Sequence, residues 1–474
     1  MFSPNYVKKS DGVFRFGKTV KARADACLAN DSVRDFWHGF CCRSCELDVS
    51  VCDEPIFEIG KAKRPDLDGN SYAVNVESAG ICIAGDGKKG LINGYMTLLH
   101  QIRISSITED GAVFEIPCGE FKEKPRVANQ MVHFCVFPET KLWELERFIK
   151  LCAALKYSHL VLEFWGMLQY DCLKELGWSF AFSKDRIRPL IKTANELGLE
   201  IIPMFNHWGH ASASRMIYGK HVVLDQNPRL QPLFGADGWT WNIENPQTVK
   251  LLGEVRGELI DLCGEGGYFH IGCDEAYNFD LTVENYTVLT DMLNNVSREL
   301  AQCGRRPIIW GDMLVAKRDS FNPNNRYTAS CKSTQLEELI LSALDRNIII
   351  ADWQYNSKEA PIETALVFKA AGFDTLVCPW DGTFGASSIL PCIKTAVDND
   401  LAGVMHTTWN TLSIGMPDVC RAAFASWSDS AENNSRPHNF FAVNCAKILR
   451  AVFPVNGDYE KAGWYPEQIG PIPR

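Results

Sequence analysis

No run of apolar residues in this chain is long enough to span a bilayer, and the N-terminal Met1-Phe2-Ser3-Pro4-Asn5-Tyr6-Val7-Lys8-Lys9 lacks the apolar core of a secretory leader. No basic stripe offsets the net charge of -10, which argues against nucleic acid and an anionic membrane surface as partners. No low-complexity tract is present, and no repeat with a period of about 20–50 residues beyond an alternation of strand and helix. The 18 cysteines follow no small-domain disulfide spacing. Together with the missing leader, that scatter points to reduced thiols and a cytoplasmic setting. Only Cys41, Cys42, Cys45 and Cys52 cluster, without a second ligand pair at a familiar zinc spacing, so free thiols are expected there. No cofactor and no metal is implied.

What the chain does have is core. A hydrophobic share of 46% against 22% charged residues describes a globular protein, and 474 residues exceed one ordinary domain. Residues 1–122 read as a small N-terminal α/β domain. Within it Asn70–Val76 and Gly80–Gly85 are strand-like, and Leu91, Tyr95, Leu98 and Leu99 recur at a helical period between Gly90 and Ile102. From there to residue 474 strand and helix patterns alternate, the signature of a parallel sheet, before an irregular tail after Phe453. Strands are expected at Val127–Val136, His159–Phe164, Glu200–Asn206, Tyr268–Gly272, Pro307–Trp310, Ile348–Trp353, Thr375–Trp380 and Gly403–Trp409. The helix predicted over Lys141–Leu155 places Leu145, Phe148, Ile149 and Cys152 on one face, and the helix opening at Ser183 closes at Gly198. Eight such units predict a (β/α)8 TIM barrel, for which about 250 residues suffice.

A barrel keeps its chemistry at the C-terminal ends of its strands. Those ends carry Glu163 and Trp165, then Asn206, His207 and His210, then Asp274 and Glu275, Trp310 and Asp312, Trp353 and Tyr355, Trp380 and Asp381, and Trp409. Four consecutive strands end in tryptophan where a barrel interior prefers Val, Ile and Leu, which predicts an aromatic cup suited to the apolar face of a pyranose ring. The most informative segment is His270-Ile271-Gly272-Cys273-Asp274-Glu275, two adjacent carboxylates at a strand exit.

That His-x-Gly-x-Asp-Glu pattern resembles the signature of family 20 glycoside hydrolases, the β-N-acetylhexosaminidases, and the flanking segments are most similar to the hexosaminidase D branch. The resemblance covers about residues 60 to 430. It implies exo-acting removal of terminal β-linked GlcNAc or GalNAc, with retention, through attack by the substrate's own acetamide and an oxazolinium intermediate. Glu275 is then the general acid and Asp274 orients the acetamide; such substrate assistance replaces the two carboxylates facing each other about 5 Å apart in ordinary retaining enzymes. An acid working near neutrality needs shielding from water, which the tryptophans would supply.

The same resemblance assigns substrate contacts. Leu-Glu-Ile-Ile-Pro-Met-Phe-Asn-His-Trp-Gly-His ends on His210, placed near the acid. His-Leu-Val-Leu-Glu-Phe-Trp-Gly-Met puts Glu163 in the pocket, and Lys-Pro-Arg-Val makes Arg126 the sugar-binding arginine. Ile-Ile-Trp-Gly-Asp-Met brings Trp310 against the acetamide, Asp-Trp-Gln-Tyr-Asn supplies Trp353 and the phenol of Tyr355, and Trp409 stacks on the sugar. Trp380 completes the wall. Trp409 is followed by Asn410 and Thr411 rather than the Gly-Glu of many secreted members, so Asp381 becomes the candidate for the distal hydroxyls.

Two other readings compete. A metal-dependent hydrolase would use His207, His210, His270 and Asp274, but the end of the first strand offers only His133. A non-catalytic amino-sugar-binding protein on a glycosidase barrel would have no need of an intact Asp-Glu pair. The expected partner is a glycan or small molecule with a terminal N-acetylhexosamine. Family members are often dimers, so a homodimer is one expectation, although no sequence feature reports an interface.

Overall fold

The computed structural model describes residues 6–49, 57–61, 66–212, 223–236, 238–380, 388–409, 412–429 and 438–452. Its centre is a closed barrel of eight parallel strands: β9 (Asn129–Cys135), β10 (His159–Glu163), β11 (Glu200–Met204), β12 (Tyr268–His270), β13 (Arg306–Trp310), β14 (Ile349–Trp353), β15 (Thr375–Cys378) and β16 (Gly403–His406), which returns to β9. Each expected strand is found at its place and most are shorter at the C-terminal end, because the last expected residues have already left the ladder for the rim. Helices run between them, including Leu142–Ala154, Lys184–Glu196 and Pro246–Cys263. Ser183 does occupy the N-cap of Lys184–Glu196, but its hydroxyl makes no capping hydrogen bond; Gly198 closes that helix at φ +68.

Period-two alternation fills the barrel. Met131, Val161, Ile202, Met204, Ile308, Ile349, Leu376 and Met405 pack into one buried apolar cluster, so the interior is a core and not a channel. One step nearer the C-terminal rim the inward positions turn polar. His133 and Glu163 meet there at 3.1 Å, both essentially excluded from water.

Before the barrel lies an eight-stranded mixed sheet. In chain order its strands are β1 (Tyr6–Phe16), β2 (Thr19–Ala24), β3 (Glu46–Val49), β4 (Phe57–Lys61), β5 (Tyr72–Glu77), β6 (Gly80–Gly85), β7 (Arg103–Thr108) and β8 (Gly111–Glu123). They are arranged β1-β8-β5-β6-β4-β2-β3, with β7 added beside β8. The helix Lys88–Leu99 covers this sheet with a fully buried stripe including Leu91, Ile92, Tyr95 and Leu98. Of these elements β5, β6 and the helix are legible in the sequence. The long antiparallel partners β1 and β8 are not, because their alternation is diluted by Lys, Glu and Gly on the solvent side.

Sheet and barrel are joined at Lys156, just past the helix Leu142–Ala154. Lys156 is 2% exposed and its Nζ donates to Glu123 Oε2 at 2.9 Å and to Tyr72 Oη at 3.1 Å. The ammonium also lies 3.8 Å from the ring centroid of Trp427. Burial lowers its pKa and the Glu123 carboxylate opposes that shift. Lys156 has φ +67, a left-handed position after a helix that usually goes to glycine. Here a lysine is kept in it because its side chain bridges β5, β8 and the last barrel helix. Lys156→Met is therefore expected to lower stability by about 3–5 kcal/mol by stranding a buried carboxylate. Adding Glu123→Leu should recover much of that loss, as read from urea unfolding midpoints.

Candidate active site

The loop leaving β12 is shaped by close backbone approaches. Ile271 N still bonds Ile308 O at 2.9 Å, and the chain then turns at Gly272, where φ is +66. A Cβ there would fall 2.2 Å from Asn206 Oδ1, so only glycine fits. Gly209 is required for the same reason on the facing loop, since its Cβ would sit 1.8 Å from Asp274 O. Cys273 and Glu275 also have positive φ, +76 and +52. Non-glycine residues held there cost about 1–3 kcal/mol each and collect at working sites.

This loop sets two carboxylates on one wall. His210 Nε2 lies 3.2 Å from Asp274 Oδ2 and 3.1 Å from Glu275 Oε2, so one imidazole nitrogen serves both acids. Glu275 Oε1 accepts from Tyr277 Oη at 3.1 Å, and its backbone oxygen accepts from the Trp239 indole at 2.7 Å. Trp239 in turn packs on His210 with ring centroids 4.4 Å apart and the planes tilted by 55°. The Asp274 side chain is 8% exposed and that of Glu275 is 30% exposed, so the second acid is the one open to a ligand.

A cavity of about 280 Å³ opens in front of the pair. His210, Asp274 and Glu275 form one side; Trp310, Trp353, Tyr355, Trp380, Trp409 and Trp165 form the rest. Trp310 is the floor, 1% exposed and 4.4 Å from the His270 ring. Trp409 donates its indole N–H to Tyr355 Oη at 2.7 Å, and the Tyr355 ring lies 4.9 Å from Trp353 and 5.3 Å from Trp380. Burial raises the Tyr355 pKa well above its ordinary value, so it stays a phenol.

Of the residues singled out in the sequence, the structure thus gathers Asp274, Glu275, His210, Trp310, Trp353, Tyr355, Trp380 and Trp409 around one cavity. Two others require correction. Glu163 does not line it: as the inward-facing last residue of β10 it is 2% exposed beneath the cup. It accepts there from Asn206 Nδ2 at 2.6 Å and from Cys135 Sγ at 3.3 Å, and pairs with His133, whose ring supports Trp409 at 4.5 Å. Arg126 precedes β9 and so belongs to the opposite, N-terminal face of the barrel. Its Nη1 donates to Ala425 O at 3.1 Å and its N–H to Ser426 O at 2.9 Å, holding the end of the helix Leu412–Trp427. Asp381 lies outside the described residues, as do Asn410 and Thr411.

Reading strand ends found Trp165 and Asp312 without giving them a place. Trp165 packs on Phe137 with centroids 5.0 Å apart and closes the cup beside Trp409. Trp239 and Tyr277 were not found at all, since both sit in irregular loops where no periodicity marks them. Asp312 is 1% exposed, and its Oδ2 accepts from Glu275 N at 3.1 Å while Oδ1 accepts from Trp353 Nε1 at 3.2 Å. Burial first, then the charge of Asp274, pushes its pKa up to about 8.

Among the described residues two groups could hold a metal ion, His133-Cys135-Glu163 below the cup and His210-Asp274-Glu275 at its wall. The set a metal-dependent hydrolase would need does not converge. His207 faces away, with Nε2 accepting from Arg256 Nη1 at 2.9 Å and Nδ1 donating to Phe205 O at 2.7 Å. His270 Nδ1 accepts from Gly272 N at 3.0 Å.

Comparison with known proteins agrees with this geometry. Residues 166–384 match the model of the glycosyl hydrolase family 20 catalytic domain. A lacto-N-biosidase of Bifidobacterium bifidum is 23% identical over 283 residues, 55% of this chain and 24% of that protein. The chain therefore spans about a quarter of that relative's length. Hexosaminidase D of Bos taurus is 23% identical over 347 residues, 64% of this chain and 94% of its own. In fold, the chain superposes on the family 20 exo-β-N-acetylglucosaminidase of Vibrio harveyi with a TM-score of 0.68 at 15% identity, covering 98% of this chain and 77% of the other.

The Asp312 carboxyl gives a pH signature. Below its ordinary value of 3.8 both folded and unfolded states carry the proton, and between there and about 8 only the folded state does. Its contribution to stability therefore falls as pH rises through that window and levels off above it. The melting temperature of the wild type minus that of Asp312→Asn is expected to decrease from pH 5 to 8 and to stay flat beyond. A difference that does not vary with pH would contradict the assignment.

Proposed function

We propose, on the premise that this chain carries the catalytic domain of glycosyl hydrolase family 20, that it is an exo-β-N-acetylhexosaminidase acting with retention by substrate assistance. The observation that carries the proposal is the pair of acids held side by side on one imidazole. A retaining enzyme with its own nucleophile needs carboxylates facing each other across the scissile bond. Asp274 and Glu275 share one nitrogen as partner and so stand side by side on one wall of the cup rather than across it from each other. The substrate's 2-acetamido oxygen is then the nucleophile. It bonds to the anomeric carbon as the glycosidic bond breaks, and Glu275 delivers its proton to the departing oxygen. Asp274 accepts the acetamide N–H and stabilises the positive charge that spreads over the oxazolinium ring. The Tyr355 phenol, a donor across the working pH range, fixes the acetamide oxygen. Water, deprotonated by Glu275, opens the ring at the anomeric carbon from the face the aglycone left, which restores the original β configuration.

The cup supports the substrate class. Indoles tilted to one another offer flat apolar faces to a pyranose ring and the N-acetyl methyl, and a cavity of about 280 Å³ is at the small end of ligand cavities. The names of the relatives, hexosaminidase D and lacto-N-biosidase, are in keeping with an amino sugar at this position. The proposed substrate is a terminal β-linked GlcNAc or GalNAc. A cytoplasmic setting is proposed as well, from 18 cysteines whose spacing follows no small-domain disulfide framework.

The test is release of 4-nitrophenol from the β-GlcNAc and β-GalNAc glycosides, with the anomer of the first-formed sugar followed by NMR. Turnover, a β product and strong inhibition by a thiazoline mimic of the oxazolinium are expected. Glu275→Gln should lower kcat on a glycan substrate by about 10³-fold or more, and Asp274→Asn by about 10²–10³-fold. An α product, or wild-type rates in either variant, would defeat the mechanism.

A further inference from the structure

We propose that Asp312 is a positioning residue that locks the general acid to the aromatic wall, so that the catalytic loop and the sugar-binding cup keep one register. The inference rests on the functional reading above and adds a residue to it. Asp312 lies two residues past the end of β13, the strand between β12, which carries the acids, and β14, which carries Trp353. Each carboxyl oxygen reaches a different neighbour: Oδ2 takes the backbone N–H of Glu275 at 3.1 Å and Oδ1 the indole N–H of Trp353 at 3.2 Å.

Both contacts bear on the reacting centre. Glu275 stands in a left-handed backbone conformation (φ +52), where a tie at its own N–H fixes the direction in which the carboxyl leaves the chain. Trp353 packs at a tilt against Tyr355, whose hydroxyl accepts the Trp409 indole, so Asp312 ties the acid to the wall of the cup through Trp353. The backbone of Asp312 is itself pinned, its carbonyl accepting from Ser330 N at 2.7 Å.

A third carboxyl beside Asp274 and Glu275 would be repulsive if charged. Burial and the charge of Asp274 hold Asp312 in its neutral form at pH 7, consistent with a tether that adds no negative charge to the wall. The groups facing it are Asp274, Glu275, Cys273 and Tyr277, none of them cationic.

The role predicts a dependence on leaving group. Proton delivery matters most when the aglycone is a poor leaving group, so a misplaced Glu275 should be felt on an unactivated glycan and little on an activated aryl glycoside. Asp312→Asn keeps the shape but offers only one acceptor oxygen, and Asp312→Ala removes both. For each, kcat on N,N′-diacetylchitobiose should fall about 10²-fold, the cost of misplacing a catalytic group by about 1 Å. On the 2,4-dinitrophenyl β-GlcNAc glycoside the fall should be under about tenfold, with KM changed less than threefold on either. Equal losses on the two substrates, a loss in KM alone, or no loss overturns the positioning role. If Asp312→Ala fails to fold, Asp312→Asn alone decides the matter. Failure of the wild type on both substrates would instead overturn the hexosaminidase reading, before any variant is compared.

Discussion

Two carboxyl groups on consecutive residues are forced together by His210, and the rest of the site is arranged around the cost of that proximity. The ligand atoms of His210, Asp274 and Glu275 all lie within 4.8 Å of one another. Two full negative charges at that separation repel by about 3–4 kcal/mol at an effective dielectric constant near 20. One imidazole nitrogen between them, the Tyr277 hydroxyl on the far oxygen of Glu275 and the Trp239 indole on its carbonyl all place positive dipole ends against the pair. Gly209 and Gly272 are the backbone conditions for this arrangement, since a methyl group at either would push the two loops apart.

The polar layer beneath the cup has the same logic one level down. A barrel interior ordinarily closes with branched aliphatics, and this one does so at Val161, Ile202, Ile308 and Leu376. At the next layer Glu163 is buried with three donors around it, His133, Asn206 and Cys135, which leaves a carboxyl under the cup without leaving it unpaired. Asn206 is shared between layers: its amide holds Glu163, and its side chain is the surface against which Gly272 turns. The His133 ring then supports Trp409. The aromatic cup is thus seated on a hydrogen-bonded plate, and its indoles have fixed neighbours below as well as beside them.

How far this could be read from the chain depended on whether a residue's role is set by position along a strand or by meetings across the fold. Strand existence and the rim location of Asp274, Glu275, Trp310 and Trp353 follow from local pattern, because a short run of aromatic or β-branched residues ends where the loop begins. Glu163 shows where that logic stops. The last residue of a strand can face either the cup or the barrel interior, and only the period-two phase, fixed by pairing with β9 and β11, decides between them. Arg126 failed for a simpler reason: a residue before a barrel strand is at the wrong end of it, whatever motif surrounds it. Trp239 and Tyr277 come to Glu275 from loops whose paths are set by tertiary packing, and nothing in their spacing signals the meeting.

Asp312 joins these two kinds of information. Its place two residues after a strand-ending tryptophan is visible in the sequence, yet its function depends on lying between the strands that carry the acids and the wall. A parallel barrel makes that adjacency unavoidable, since consecutive βα units become neighbours around the ring. A short acidic side chain at the rim of the middle strand can therefore reach the loops on both sides, and a neutral carboxyl can accept from both without adding a third charge. Barrel topology supplies the adjacency, burial supplies the neutrality, and the length of aspartate matches the gap between them.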